Sequence, residues 1–246
     1  MKILLAPSET KVMGGEDNVN ADTLFFDALH SKQQKLISLY TQSVLRDSDE
    51  QLSKMFGIKK LSEIAHYRQD ITTLLTMKAI QRYSGVAFDY FDYASLDHQA
   101  QEYINKNLII FSNLFGVLKA NDLIPEYKLK QGEPIGEIKT DRFYKESITQ
   151  ILDVYLKDED ILDIRAGYYD KFYKPSQPYT TLKFIKNGKV VSHWAKAYRG
   201  KVLREIAKHQ INTLEAFMQL EIENLMINEI KTIKNKTEIV YDIIGE

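Results

Sequence analysis

The chain has 246 residues, 44% hydrophobic and 27% charged, with a net charge of −1. That is an ordinary globular composition, long enough for one large domain or two small ones. It contains no cysteine, which excludes disulfides, thiolate metal sites and cysteine nucleophiles.

The elements read off the chain in order as follows. Lys2 to Ala6 is an apolar run that meets Pro7 and Glu9 almost at once. It reads as a first β-strand rather than a signal peptide, and the cytoplasm is the expected compartment. No apolar run approaches the about 20 residues of a membrane span. Residues 7–22 are a polar loop with Gly14-Gly15. Ser31 to Leu45 reads as a helix with Leu36, Leu39, Tyr40 and Val44 inward. Asp49 to Phe56 is a short helix broken by Gly57, and Lys60 to His66 starts another. Thr76 to Tyr83 is helical. Ser95 caps a helix running to about Asn105.

Leu108 to Ser112, "LIIFS", reads as a central strand. Asn121, Asp122 and Pro125 mark a turn region, and Gly132, Pro134 and Gly136 a loop. Asp141 to Leu156 is an amphipathic helix, and Ile161 to Arg165 a buried strand. Thr180 to Ile185 and Lys189 to Trp194 flank Asn187-Gly188, a hairpin signal. A helix follows, and "TEIVYDII" is the last strand. No repeat or linker divides residues 1–246. One α+β domain, close to α/β, is expected, with helices around a mixed sheet.

Charge is unevenly distributed. Between Arg165 and Lys201 there are nine basic residues and one acidic residue, Asp170. Lys171, Lys174, Lys183, Lys196 and Arg199 are interleaved with aromatics such as Tyr168, Tyr169, Phe172 and Trp194. This pattern suits phosphates and stackable bases; it also suits a solvated basic face over core aromatics. On the helix after the hairpin, Arg199 lies three, four and seven residues before Val202, Leu203 and Ile206, hence on their stripe. Lys196 points to nearly the same side. Either Arg199 pairs with a rim carboxylate, or Lys196 and Arg199 line a cleft that receives an anion.

Three other stretches carry candidate chemistry. In "SKMFGIKKLSEIAHY" (53–67), Lys54, Lys59 and Lys60 flank Gly57. The segment is similar to a helix-hairpin-helix whose turn contacts DNA phosphates, and equally to a plain helical corner. Ser112 closes a buried strand at the end where open α/β sheets place ligands. Asp122, Tyr127 and Lys128 could converge there, or Asp122 could cap backbone amides of a structural loop. Asp163 and Arg165 sit at i, i+2 on an apolar strand, as a buried ion pair or as part of a site with Arg199. The five histidines show no H-E-x-x-H or i, i+4 pair, and no metal site or cofactor is expected.

Taken together, the blocks "ILLAPSET", "AIQRYSGVAFDYFD", "IIFSNLFGVLKANDLIPEYKLKQG", "DRFYKESI", "ILDIRAGYYDKFYKP" and "AKAYRGKVLREI" resemble the YaaA family of bacterial peroxide-stress proteins, over nearly the whole chain. The most specific matches are Ser112, Gly116 to Lys119, Asp122-Leu123 and Tyr127-Lys128, and then Ala195, Lys196, Arg199, Gly200 and Arg204. The resemblance implies a single domain with a helix-hairpin-helix and a positively charged cleft. It also implies DNA binding and protection against peroxide by limiting iron-dependent damage, with Lys171, Lys196, Arg199 and Arg204 in the cleft. The chain departs from the family at Glu9, where a lysine is usual, and at Asp163 to Ala166, which replaces an N-L-A-S strand end.

The resulting expectation is a cytoplasmic monomer that binds duplex or bent DNA with little sequence preference. Its DNA-binding residues are Lys54, Gly57, Lys59, Lys60, Lys171, Lys174, Lys183, Lys196, Arg199 and Arg204. A candidate pocket comprises Ser112, Asp122, Tyr127, Lys128, Asp163, Arg165 and Tyr169. The alternative is an enzyme acting on a nucleotide or nucleic-acid base in that pocket.

Overall fold

The computed structural model describes residues 1–18 and 24–245; residues 19–22 of the expected polar loop and Glu246 lie outside them. The chain opens with β1 (Lys2–Leu5), buried throughout, and the short β2 (Asp17–Asn18). Helices α1 (His30–Arg46), α2 (Asp49–Phe56) and α3 (Leu61–Tyr67) follow. Ser48 and Gln51 cap α2 reciprocally, each side chain accepting from the other's backbone N–H.

Residues 76–83 were expected to be one helix, and they divide. β3 (Leu75–Lys78) pairs antiparallel with Leu123–Pro125, and only α4 (Ala79–Arg82) is helical. The edge pairing wins over local helical preference. Next come α5 (Val86–Phe91) and α6 (His98–Asn107). The cap of α6 is Asp97, whose carboxylate accepts from Ala100 N at 2.8 Å, rather than Ser95.

β4 (Leu108–Ser112) and β5 (Gly116–Lys119) form a tight antiparallel pair, and β6 (Leu123–Pro125) is the partner of β3. Then come α7 (Thr140–Tyr155) and β7 (Ile161–Asp163), which ends two residues short of Arg165. β8 (Tyr179–Lys186) turns through Asn187 and Gly188, at φ 52° and 73°, into β9 (Lys189–Val190). Both turn residues occupy the left-handed region that two-residue hairpins need. α8 (Ser192–Lys208) starts before Trp194, which shortens the expected second hairpin strand. α9 (Leu214–Met218), β10 (Leu225–Ile233) and β11 (Lys236–Ile243) complete the chain.

The result is one mixed α/β domain. Its main sheet runs β10-β11-β8-β7-β1-β4-β5. From β11 to β4 all neighbours are parallel, and β5 and β10 add antiparallel edges. The fully buried β1 and β4 explain the continuous apolar runs in the sequence, since parallel strands are covered on both faces. Val202, Leu203 and Ile206 of α8 are buried in the core, as their stripe predicted.

This topology positions a site. The chain leaves β1 toward β4 on one side, and leaves β7 toward β8 on the other. Ligand crevices in open α/β sheets form at such a reversal, outside the carboxyl ends of the strands.

Candidate anion-binding cleft

A cleft of about 400 Å³ opens at that reversal. The segment after β1 supplies Ala6 to Thr10, and the segment after β7 supplies Ile164, Ala166 and Tyr169. The start of α5 contributes Gly85 to Phe88, and α8 contributes Lys196 and Arg199, with Gln131 at the edge.

Hydrogen bonds fix the β1 side. The Thr10 hydroxyl donates to Ser84 O at 2.8 Å and lies 3.0 Å from Ser8 Oγ, which accepts from Thr10 N at 3.2 Å. Gly85 faces these hydroxyls at φ 107°, and a Cβ there would stand 3.0 Å from Thr10 Oγ1. Glu9 is the carboxylate of the lining, and its Oε1 accepts from Gln131 N at 3.0 Å.

On the α8 side, Lys196 is exposed and Arg199 half-buried. Among the described residues, the Arg199 Nε is buried without a hydrogen-bond partner. Burial pulls this guanidinium below its ordinary range, and the nearby Asp163 charge opposes the shift. Gly200 lets α8 press against α5, because a Cβ there would lie 2.2 Å from Ala87 O.

A polar cluster lies behind the β1 segment. The Tyr127 hydroxyl is 2.8 Å from that of Tyr83 and 2.9 Å from Ser112 Oγ, which accepts from Phe115 N at 3.0 Å. Burial raises Tyr127 to about 12. Lys11 reaches into this cluster. Its Nζ lies 3.9 Å from the Tyr127 ring centroid and 5.2 Å from that of Tyr83, and it donates to Ser8 O at 3.2 Å. Lys128 Nζ donates to Glu9 O at 3.2 Å.

The expected residues therefore separate. Lys196, Arg199 and Tyr169 come together in the cleft. Ser112, Tyr127 and Lys128 belong to the layer behind it. Asp163 and Arg165 are buried and bonded to each other, Nε to Oδ1 at 2.8 Å and Nη2 to Oδ2 at 2.6 Å. Arg165 also donates to the carbonyls of Tyr169 and Tyr173. The pair thus forms the buried ion pair of the two alternatives, and neither residue lines the cleft.

Asp122 accepts from Phe25 N at 2.9 Å and Lys119 N at 2.8 Å, so it caps a loop rather than facing the cleft. Arg204 donates to Phe91 O, Asp92 O and Ser95 Oγ, which ties α8 to the chain after α5 instead of presenting it to an anion.

The remaining basic residues do not gather in the cleft. Lys171 and Lys174 are exposed on the segment after β7, Lys171 over the Tyr168 ring, and Lys183 is half-buried on β8. Most of the interleaved aromatics, including Tyr169, Phe172, Tyr173 and Phe184, are core residues, while Trp194 is exposed. Lys54, Lys59 and Lys60 are exposed around Gly57, which joins α2 to α3 at φ 68°. The first two amides of that turn are used internally, Gly57 N on Lys54 O and Ile58 N on Ser53 O.

Ser8, Thr10, Gly85 and Gln131 escaped sequence reasoning, because loop contacts leave no periodic signal.

A family model described as peroxide stress protein YaaA matches residues 1–231. The chain is 42% identical over 245 residues to protein Cj0984 of Campylobacter jejuni, covering 99% of this chain and 100% of that one. It is 35% identical over 219 residues to a UPF0246 protein of Corynebacterium glutamicum, covering 84% and 85% of the two chains. A UPF0246 protein of Fusobacterium nucleatum is 27% identical over 210 residues, covering 77% and 85%. No helix among the described residues is long and apolar enough to cross a membrane. The chain belongs to the peroxide stress protein YaaA family, and this membership supports a role in oxidative stress.

Proposed function

We propose that the protein serves the peroxide-stress response as a cytoplasmic DNA-binding protein of little sequence preference. DNA phosphate is held by Lys196 and Arg199, and DNA covered in this way is withdrawn from iron-dependent oxidants. The observation that carries this reading is that Lys196 and Arg199, both on α8, line the same cleft at the carboxyl ends of β1 and β7. Asp163 is consumed by Arg165, and Glu9 Oε1 by a backbone amide. A phosphate oxygen satisfies the Arg199 guanidinium with charge-assisted hydrogen bonds. Lys54, Lys59 and Lys60 at the helical corner, and Lys171 and Lys174 beyond β7, are further cations for a phosphate backbone.

The test is fluorescence anisotropy on duplex, bent and single-stranded DNA across a salt series, comparing wild type with Lys196→Ala/Arg199→Ala. Removing two phosphate contacts should weaken binding at least about tenfold and lower the salt slope by about 2. Equal binding by the two proteins, or none by either, rejects the reading.

A second reading draws on the cleft's size. A volume of about 400 Å³ fits a single nucleotide rather than a duplex. An enzyme acting on a nucleotide or base would use the same anion site, and nucleotide binding lost in the double variant would favour it.

A further inference from the structure

The two edges of the main sheet differ. β5 is buried along its whole length, so the protein itself covers that edge. β10 ends the other side, and among the described residues no strand pairs with its outer side. From Asn228 to Ile233 it is exposed throughout, with Ile230 at 49% and Ile233 at 71%. A nine-residue edge that shows isoleucines is a template for a further strand. The edge is also preformed. β10 pairs with β11 from Leu225–Ile243 to Ile233–Lys236. At the hairpin turn the Asn235 side chain donates to Pro175 O at 3.0 Å and to Ser176 O and Gln177 O at 3.2 Å.

The residues of this edge define the strand that fits it. Two copies of one chain joined edge to edge are related by a two-fold axis perpendicular to the sheet, and their edge strands run antiparallel. That rotation keeps each side chain on its own face, so the axis must pass through a residue that opposes itself. An axis at Glu229 or Lys231 sets like charges against each other, which is unfavourable. An axis at Asn228 or Thr232 sets a charge against an isoleucine. An axis at Ile230 sets Ile230 against Ile230, and Glu229 of each copy against Lys231 of the other. Further out, Thr232 opposes Asn228 and Ile233 opposes Ile227, across the bulge between Ile227 and Glu229.

Both faces of the sheet agree with this axis. Glu229 and Lys231 share one face, Oε2 to Nζ at 2.7 Å, so two copies make an alternating row of four charges. On the other face Ile230 stands beside Ile239, and Ile239 beside Leu182, both buried. The axis joins two such apolar rows end to end.

We propose that the outer edge of β10 is the docking site for a second copy of this chain, paired antiparallel about Ile230 into a closed two-fold dimer. This stands in place of the monomer expected from the sequence. The covered β5 edge stops the sheet from growing further, so assembly ends at two copies. β11 and β8 stand between β10 and the strands that frame the cleft. The two-fold rotation sends the two clefts to opposite ends of the joined sheet. Pairing at β10 is therefore independent of what the cleft binds.

The experiment is analytical ultracentrifugation of the full chain as wild type, Glu229→Lys, Lys231→Glu and the double variant, each checked for folding by circular dichroism. The wild type is expected to sediment as a dimer that dissociates on dilution. Each single reversal sets like charges against each other and should weaken dimerisation at least about tenfold. An equimolar mixture of the two single variants should regain the dimer, because each then presents the charge that the other lacks. The double variant should regain it alone.

A wild type that stays monomeric up to about 100 μM overturns the proposal and leaves the edge to a strand of another protein. A dimer unchanged by both single reversals puts the contact on another face and overturns it as well. Single variants that dissociate, but whose mixture stays monomeric, overturn the pairing about Ile230.

Discussion

Two arginines at the same end of the sheet behave in opposite ways. Arg165 spends its guanidinium inside the protein, on both oxygens of Asp163 and two carbonyls, with its central carbon 4.2 Å from the Phe111 ring centroid. Arg199 keeps its Nε buried and unpartnered on the wall of a cleft. Both sit among apolar neighbours. A guanidinium with its donors satisfied holds the fold together, whereas one with an unused buried donor contributes less to it.

Variants can break this contrast. The largest effect is expected at Arg165→Ala, which leaves Asp163 buried without its partner and should cost about 3–5 kcal/mol in urea unfolding. Gly200→Ala comes next. It forces a Cβ to within 2.2 Å of Ala87 O, so the α5–α8 packing must shift, at about 1–3 kcal/mol in the same assay.

Arg199→Ala should change stability by less than about 1 kcal/mol, since it removes a donor that has no partner to lose. Its effect belongs in ligand binding. If Arg199→Ala destabilised the chain more than Arg165→Ala, the assignment of roles would be reversed.

A pH-dependent effect concerns Asp122, a third buried charge that caps a loop. Burial lifts its carboxyl from 3.8 to about 6, against two backbone hydrogen bonds that pull it down. The folded state therefore binds more protons than the unfolded one between these values. Asp122 contributes most below pH 3.8, and stability falls as pH rises through 6. Asp122→Asn should flatten that slope, by at most about 1.4 kcal/mol per pH unit.

Parts of this arrangement were readable in advance for physical reasons. β1, β4 and β7 are parallel and covered on both faces, so their sequences are apolar runs that cannot sit elsewhere. Lys196 and Arg199 were found from helical spacing alone, because α8 keeps its period for 17 residues. The hairpin at Asn187-Gly188 was local chemistry. In contrast, β5 and β6 are set among the turn residues Asn113, Gly116, Asn121, Asp122 and Pro125, which mask them. β3 looked helical because its strand character comes from pairing with β6, which itself resembled a turn around Pro125.

The candidate pocket mixed two kinds of residue. A charge on an apolar strand has two explanations, and only its partners decide between them. Asp163 and Arg165 found each other, and Asp122 found amides.

Gly200 has one more consequence. The helices it brings together are α5, whose first residues floor one side of the cleft, and α8, which supplies the cations opposite. With Ala87 O packed against the Gly200 backbone, the gap between these walls is set by a helix crossing in the core rather than by mobile loops. The backbone positions of Lys196 and Arg199 are thereby fixed by the core. On the proposed reading, capture of a small anion needs no closing motion of these helices. Widening the space between these walls would require the two helices to unpack.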